Sequence, residues 1–283
     1  MLTLLIGEIH SDAHLMLKEN VELKQVSNEI FLTETWPGIE AVMLRTYTTL
    51  KDKELLLLPN LKYVVSCSVG IDNLDLELLK QKGIKLIHCP GSNANSVAEH
   101  TLYLILSLLR KEKPFPELKG KTVGIVGFGY IGQEVAKKLQ GFECKIIAYD
   151  VIEPDKYLLQ NLNVKMVSLE EISKKSDIVT IHVPFNKYTQ RMINEKFLSS
   201  LKKNAFFINT SREEVIDEEA LLNHQEKFAG IGLDVYSEKL EKGLKGNVLL
   251  TPHIAAQGED SFREMCLQPI KKFLNGITSK NFN

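Results

Sequence analysis

The sequence predicts an α/β protein built on parallel sheets, and three observations lead to that class. Short apolar runs alternate with polar, helix-like stretches along most of the 283 residues. The segment Lys121 to Asp150 reads as strand, glycine turn, helix and second strand without interruption. Several later strands end in turns bearing histidine, arginine or aspartate, which is where ligands gather in open parallel sheets.

Taken in order, LTLLIG, VELKQV, AVMLR, LKYVVSCS and IKLIHCPG are the strands of a first small α/β unit running to about Ser96. Their connections are helical, as in LDLELLKQKG, where Leu74, Leu78 and Leu79 share a face and Gly83 supplies the stop. A long apolar helix from about Asn95 to Arg110 follows, broken by Pro114 and Pro116, and is expected to cross between domains. Beyond Asp150 the alternation resumes with VKMVS, a helix SLEEISKKS capped by Ser168, the strand DIVTIHVP, a helix near Asn194 to Leu201 and the strand AFFINT. From Gln257 an amphipathic helix is expected, followed by NGITSKNFN and packing back on the first unit.

The glycine segment states its own chemistry. Gly127 permits a tight turn, Gly129 lets a pyrophosphate approach the backbone, and Gly132 lets the helix pack close to the strand. Tyr130 and Ile131 then offer helix N-terminal amides to the phosphates. Asp150 ends the second strand where a ribose diol would lie, and Val151 and Ile152 supply no cation for a 2′-phosphate. The expected ligand is therefore NAD rather than NADP.

Composition excludes other classes. Thirty-five basic against 36 acidic residues give a formal charge of -1, so no field draws the chain to nucleic acid or an anionic membrane. The apolar start MLTLLIGEIH is too short for a signal sequence and lacks a basic lead. No run approaches a membrane span, the nearest being Thr101 to Leu109. Cys67, Cys89, Cys144 and Cys266 are scattered without metal or redox spacing and read as reduced thiols. A cytoplasmic protein without a metal is expected.

Several blocks, in order, resemble the D-isomer-specific 2-hydroxyacid dehydrogenase family: SVGIDNLDLE, PGSNANSVAEHT, the glycine segment, SDIVTIHVP, INTSREEVIDEEAL, GLDVYSE and LTPHIAA. The resemblance covers nearly the whole chain. It implies two Rossmann-like domains with doubly wound parallel sheets and a cleft between them. The substrate domain would be residues 1–96 with 257–283, and the NAD domain residues 97–256. It also implies a homodimer through the NAD domains, with a short connector from Arg110 to Leu118 where relatives have a longer arm.

The family pattern assigns roles residue by residue. Arg212, after INTS, matches the arginine that binds the substrate carboxylate and polarises the 2-oxo group. An arbitrary arginine would be half of a surface ion pair with Glu213 or Glu214, but the strand-end position favours substrate. His253 matches the proton donor, since imidazole titrates near operating pH. His100, on an apolar helix, reads as packed and structural.

The family's histidine partner, a glutamate, falls at Lys239 here, so Glu238 is expected to take the role, with Glu241 or no partner as the alternatives. Asp234 matches the residue that holds the nicotinamide carboxamide. Thr210, Ser211, His182, Val183, Pro184, Ala255 and Ala256 are expected to line the cofactor, and Val69 and Gly70 to offer amides to the substrate carboxylate. Glu213 and Glu214 stand where relatives commonly have glycine, which disfavours phosphorylated substrates.

Two other functions stay open from sequence. A non-catalytic NAD(H) sensor or corepressor-like protein would accommodate Lys239 and the shortened loop. A methyltransferase would also use Asp150, but it gives Arg212 and His253 nothing to do. The leading expectation is reduction of a small 2-oxo acid by NADH.

Overall fold

In the computed structural model the described residues are 1–111 and 113–278. The elements, in order, are β1 (Leu2–Ile6), α1 (Ser11–Asn20), β2 (Glu22–Val26), α2 (Asn28–Phe31), β3 (Ala41–Leu44), α3 (Asp52–Leu55), β4 (Tyr63–Ser66), α4 (Leu76–Gln81) and β5 (Lys85–Ile87). Then come α5 (Ala94–Leu109), β6 (Thr122–Val126), α6 (Tyr130–Leu139), β7 (Lys145–Tyr149), α7 (Lys156–Asn161), β8 (Val164–Met166), α8 (Leu169–Lys175) and β9 (Ile178–Ile181). The chain finishes with α9 (Glu195–Ser200), β10 (Phe206–Asn209), α10 (Glu218–His224), β11 (Gly230–Leu233), α11 (Glu238–Gly243), β12 (Val248–Leu250) and α12 (Glu259–Thr278). Among the described residues no helix is long and apolar enough to cross a membrane.

Among the described residues two compact units result, residues 1–93 with 259–278 and residues from 94 to 258. The first holds a five-stranded parallel sheet in the order β2-β1-β3-β4-β5. Its inner strands β3 and β4 are buried at every residue, the pattern of strands covered on both faces. VELKQV is polar because β2 is an edge strand with three of its five residues exposed.

Leu74 lies outside the helix it was expected to share. Asp75 caps α4 by accepting the N–H of Leu78 at 2.9 Å, so Leu74 precedes the cap and packs in one cluster with Leu79, a hydrophobic staple. The C-terminal helix α12 seats Cys266, Leu267, Ile270 and Phe273 in the core beside Leu5, Tyr63 and Val65. It runs on through Thr278, beyond the expected end, because Ile277 still packs there and the Thr278 hydroxyl donates to the Leu274 carbonyl. The rest of the expected NGITSKNFN tail, residues 279–283, lies outside the described residues.

The second unit holds a seven-stranded parallel sheet in the order β12-β11-β10-β9-β6-β7-β8. The direction of strand succession reverses beside β6, the switch point at which such sheets take ligands. Local chemistry fixes the connecting helices. Ser168 and Glu171 close a reciprocal capping box on α8, and Asp155, Asn194, Asp217 and Ser237 each accept an amide at the start of their helices.

Helix α6 buries Gly132, Val135, Ala136 and Leu139, one stripe at helical spacing. Helix α5, expected as a crossing, falls wholly in this unit and buries Leu104, Ile105, Leu108 and Leu109 in the same core as Val123, Ile125 and Ile208. Each such aliphatic side chain taken from water contributes about 1.5–3 kcal/mol.

Candidate active site

Six neighbouring parallel strands of the second unit end in residues singled out from the sequence. Reading across the carboxyl edge, β12 leads to His253, β11 to Asp234, β10 to Arg212, β9 to His182, β6 to the glycine turn and β7 to Asp150. Parallel strands about 4.8 Å apart bring these residues to one edge despite their separation in sequence.

The glycine turn is shaped by contacts that a side chain would destroy. Gly127 has φ +92°, and a Cβ there would lie 2.7 Å from the His182 carbonyl carbon. A Cβ on Gly132 would lie 2.2 Å from the Gly127 oxygen, so the helix rests directly on the turn. Nothing lies within 4 Å of the Cβ position of Gly129, which caps α6 without a side-chain hydrogen bond. Tyr130 is exposed and Ile131 half-buried at the same helix start. Open space before free helix amides fits a pyrophosphate. Asp150 Oδ2 accepts the Phe128 N–H at 2.6 Å and Oδ1 the Ile152 N–H at 2.9 Å, leaving each oxygen further capacity for a diol.

At the next strand end His182 is buried, its Nε2 2.9 Å from Thr180 Oγ1 and its Nδ1 3.5 Å from Thr210 Oγ1. Burial lowers its pKa to about 3, so the ring is neutral. The ring packs inward while the His182 backbone meets Gly127, consistent with a backbone role beside the cofactor turn. Val183 is half-buried and Pro184 exposed.

The turn carrying Arg212 is built by Asn209, a residue that the sequence reading did not single out. Its Oδ1 accepts from the Ser211 N–H at 3.0 Å and hydroxyl at 2.7 Å, and its Nδ2 donates to the Arg212 carbonyl at 2.9 Å. An asparagine at a strand end is a turn signal, so the residue was findable. Arg212 Nη1 donates to the Ser211 carbonyl at 2.8 Å. Beside it the Glu213 carboxyl is pushed up by burial and by the neighbouring Glu214 and Glu218.

Asp234, after β11, organises the turn that follows β12. Its side chain is fully enclosed. Oδ1 accepts from the Thr251 hydroxyl at 2.6 Å and the Ile254 N–H at 2.9 Å, and Oδ2 accepts from the Ala255 N–H at 2.9 Å. His100 Nε2 stands 2.9 Å from Thr251 Oγ1 and 3.4 Å from Asp234 Oδ1. Burial opposes the charge of Asp234, but the bonds from His100, Thr251, Ala255 and Ile254 outweigh it and hold the carboxyl below its usual range. Oδ2 accepts the one amide of Ala255 and so keeps capacity for a further donor. His100, expected to be a passive packed ring, is a member of this cluster.

Within that turn His253 is exposed and has φ +56°. Ala255 is buried and Ala256 half-buried.

The pairing expected between Glu238 and His253 is not formed. Glu238 lies in the first turn of α11 with its side chain 77% exposed, and its carboxylate meets Lys242 one turn on. An i, i+4 partner on the same short helix holds the carboxylate on the α11 surface. Glu241 and Lys239 are also exposed, and among the described residues of this unit none hydrogen-bonds the His253 ring.

In the first unit Val69 and Gly70 follow β4 and are half-exposed, and the Ser68 hydroxyl holds their loop by accepting the Thr46 N–H at 3.2 Å.

Residues 93–255 match the model of the D-isomer specific 2-hydroxyacid dehydrogenase NAD-binding domain, more than half of the chain. The chain belongs to the D-isomer specific 2-hydroxyacid dehydrogenase family.

Among its relatives, the hydroxypyruvate reductase of Thermotoga maritima is 32% identical, covering 95% of this chain and 96% of that protein. The glyoxylate reductase of Thermofilum pendens is 36% identical over 79% of this chain and 77% of its own. The solved D-lactate dehydrogenase of Aquifex aeolicus, complexed with NAD and lactic acid, superimposes with a TM-score of 0.83 at 29% identity, covering 98% of this chain and 96% of that one. This D-2-hydroxyacid dehydrogenase is therefore an NAD-dependent oxidoreductase, with two parallel-sheet units as the family implies.

Proposed function

We propose that the dehydrogenase reduces a small, unphosphorylated 2-oxo acid to its D-2-hydroxy acid, with Arg212 binding and polarising the substrate and His253 supplying the proton. The single observation that supports the reading is the order of strand ends. The acid, the cation, the glycine turn and the ribose-binding carboxylate follow one another along one sheet edge, so the reacting end and the adenosine end of an extended dinucleotide each meet matching groups.

NAD, when bound, supplies and removes hydride. The protein supplies position and charge. The Arg212 guanidinium offers a planar fork of donors to a carboxylate or to the oxygen on which negative charge develops. His253, exposed at the edge, gives its proton to that oxygen and recovers one from water. Val69 and Gly70 would add backbone amides for the substrate carboxylate.

The cluster of Glu213, Glu214 and Glu218 supports small substrates over phosphorylated ones, because a phosphate would meet like charge there. A homodimer through residues 94–258 is part of the proposal, supported by the exposed Tyr103 and Phe115, and sedimentation would report it. Cytoplasmic residence fits the four free thiols.

The test is NADH oxidation against glyoxylate, pyruvate, hydroxypyruvate and phosphohydroxypyruvate. Turnover is expected with at least one of the first three and least with the phosphorylated acid. Arg212→Ala should lower kcat/KM by about 10³-fold. NADH binding without turnover on any acid would favour the sensor alternative and overturn the proposal, as would near-wild-type turnover by Arg212→Ala.

A further inference from the structure

We propose that His100 is a positioning residue for proton transfer, acting on His253 through Thr251 and Asp234. The proposal rests on reading His253 as the proton donor, and it gives a task to a side chain that the family pattern leaves as packing.

The proton count decides how the cluster is wired. A hydroxyl has one hydrogen, and that of Thr251 goes to Asp234 Oδ1 over 2.6 Å. The lone pairs of Thr251 Oγ1 are then left to accept, so His100 Nε2, 2.9 Å away, carries the hydrogen and donates. The same N–H lies 3.4 Å from Asp234 Oδ1 and faces both oxygens. His100 is thus the one ring in a cluster whose other donors are a hydroxyl and two backbone amides.

What the cluster holds is the His253 turn. Asp234 gathers the amides of Ile254 and Ala255, and its own carbonyl accepts the His253 N–H at 2.9 Å. Between these anchors His253 adopts a left-handed φ of +56°, a conformation that a β-substituted residue keeps only when its surroundings impose it. Ser96, on the same helix as His100, reinforces the far side by donating to the Ala255 carbonyl at 2.8 Å and accepting the Gly258 N–H at 3.2 Å. Helix α5 therefore grips the loop at two points, and the grip at His100 is the one that bears on the carboxylate. Without a carboxylate partner from this unit on its ring, His253 depends on its backbone for aim.

The variants are His100→Ala, which removes the donor, and His100→Gln, whose amide nitrogen reaches about where Nε2 stands. Two readouts are needed, steady-state kinetics and hydrogen exchange at the Ile254 and Ala255 amides. His100→Ala is expected to lower kcat about 10- to 100-fold, the cost of misplacing a reacting group by about an ångström, while the NADH dissociation constant stays near wild type. The two amides should exchange about tenfold faster or more. His100→Gln should recover most of both.

Unchanged kcat and exchange in His100→Ala would overturn the proposal. So would parallel loss of kcat, NADH binding and melting temperature that His100→Gln does not repair, since that is a merely structural role. A wild-type protein inactive on every 2-oxo acid would instead remove the reading of His253, and the exchange rates would still decide whether His100 holds the turn.

Discussion

Asp150 ties the two ends of the nucleotide segment together, its Oδ2 accepting the Phe128 N–H at 2.6 Å across 22 residues of chain. The carboxylate thereby fixes the entry to the glycine turn, and in the proposed function it holds the ribose as well. Its neighbours Val151 and Ile152 are 85% and 74% exposed and offer a 2′-phosphate nothing. Asp150→Ala should weaken NADH binding about 10- to 100-fold, the worth of lost hydrogen bonds to a charged group, without creating NADPH binding. Adding Val151→Arg should then raise NADPH affinity. Titration of cofactor fluorescence reads both, and an Asp150→Ala protein with wild-type NADH affinity would remove Asp150 from the site.

Gly129 and Gly132 separate cofactor space from fold. Alanine at Gly132 would drive its Cβ against the Gly127 carbonyl, a backbone atom that cannot swing aside. Loss of about 1–3 kcal/mol is expected, read as a lower urea midpoint. Alanine at Gly129 meets nothing in the protein and should fold normally, yet lose NADH affinity because it fills the space before the helix amides. If Gly129→Ala binds NADH normally, the pyrophosphate lies elsewhere.

The fold was legible because each level of the sequence agrees with the next. Buried strands such as β3, β4, β9 and β10 are apolar runs broken by at most one polar residue, and the caps at Ser168 and Asn194 are written beside them. Residues at strand ends, Arg212, Asp234 and His253, were legible as site candidates for the same reason. What the side chains of Asp234 and His100 do was not.

Their contact joins α5 to β11 and β12 over more than 130 residues, and no local pattern encodes which oxygen a buried donor will meet. Glu238 was misread for a related reason. Counting from GLDVYSE places Glu238 one residue before the family's glutamate position, whereas the short helix α11 turns that acid toward Lys242.

Glu238→Gln is therefore expected to be nearly silent. The exposed pair with Lys242 contributes little, and among the described residues no hydrogen bond links Glu238 to the His253 ring. Activity should stay within about twofold of wild type, and the pH dependence of kcat/KM should not move. A displaced pH profile in this variant would show that the carboxylate reaches His253 during turnover.

His182 predicts how acid affects stability. Its pKa is lowered by burial from 6.5 to about 3 in the folded chain, so the unfolded chain binds its proton more tightly. Acid then favours unfolding, and the stabilising contribution, whole above pH 6.5, is withdrawn as the pH falls toward 3. The full gap corresponds to about 5 kcal/mol, lost at no more than about 1.4 kcal/mol per pH unit. Carboxylates held low, such as Asp234 and Asp177, act below about pH 4, and the raised Glu213, which acts with the opposite sign above its usual range, is common to wild type and variant and cancels in the comparison. His182→Asn should lower stability at pH 7 by removing a packed ring, yet lose less of what remains on going to pH 5. Urea midpoints at pH 7, 6 and 5 for both proteins give the two slopes. Parallel slopes would mean that the buried ring accepts a proton without cost, and that the neutral imidazole assigned beside the cofactor turn is wrong.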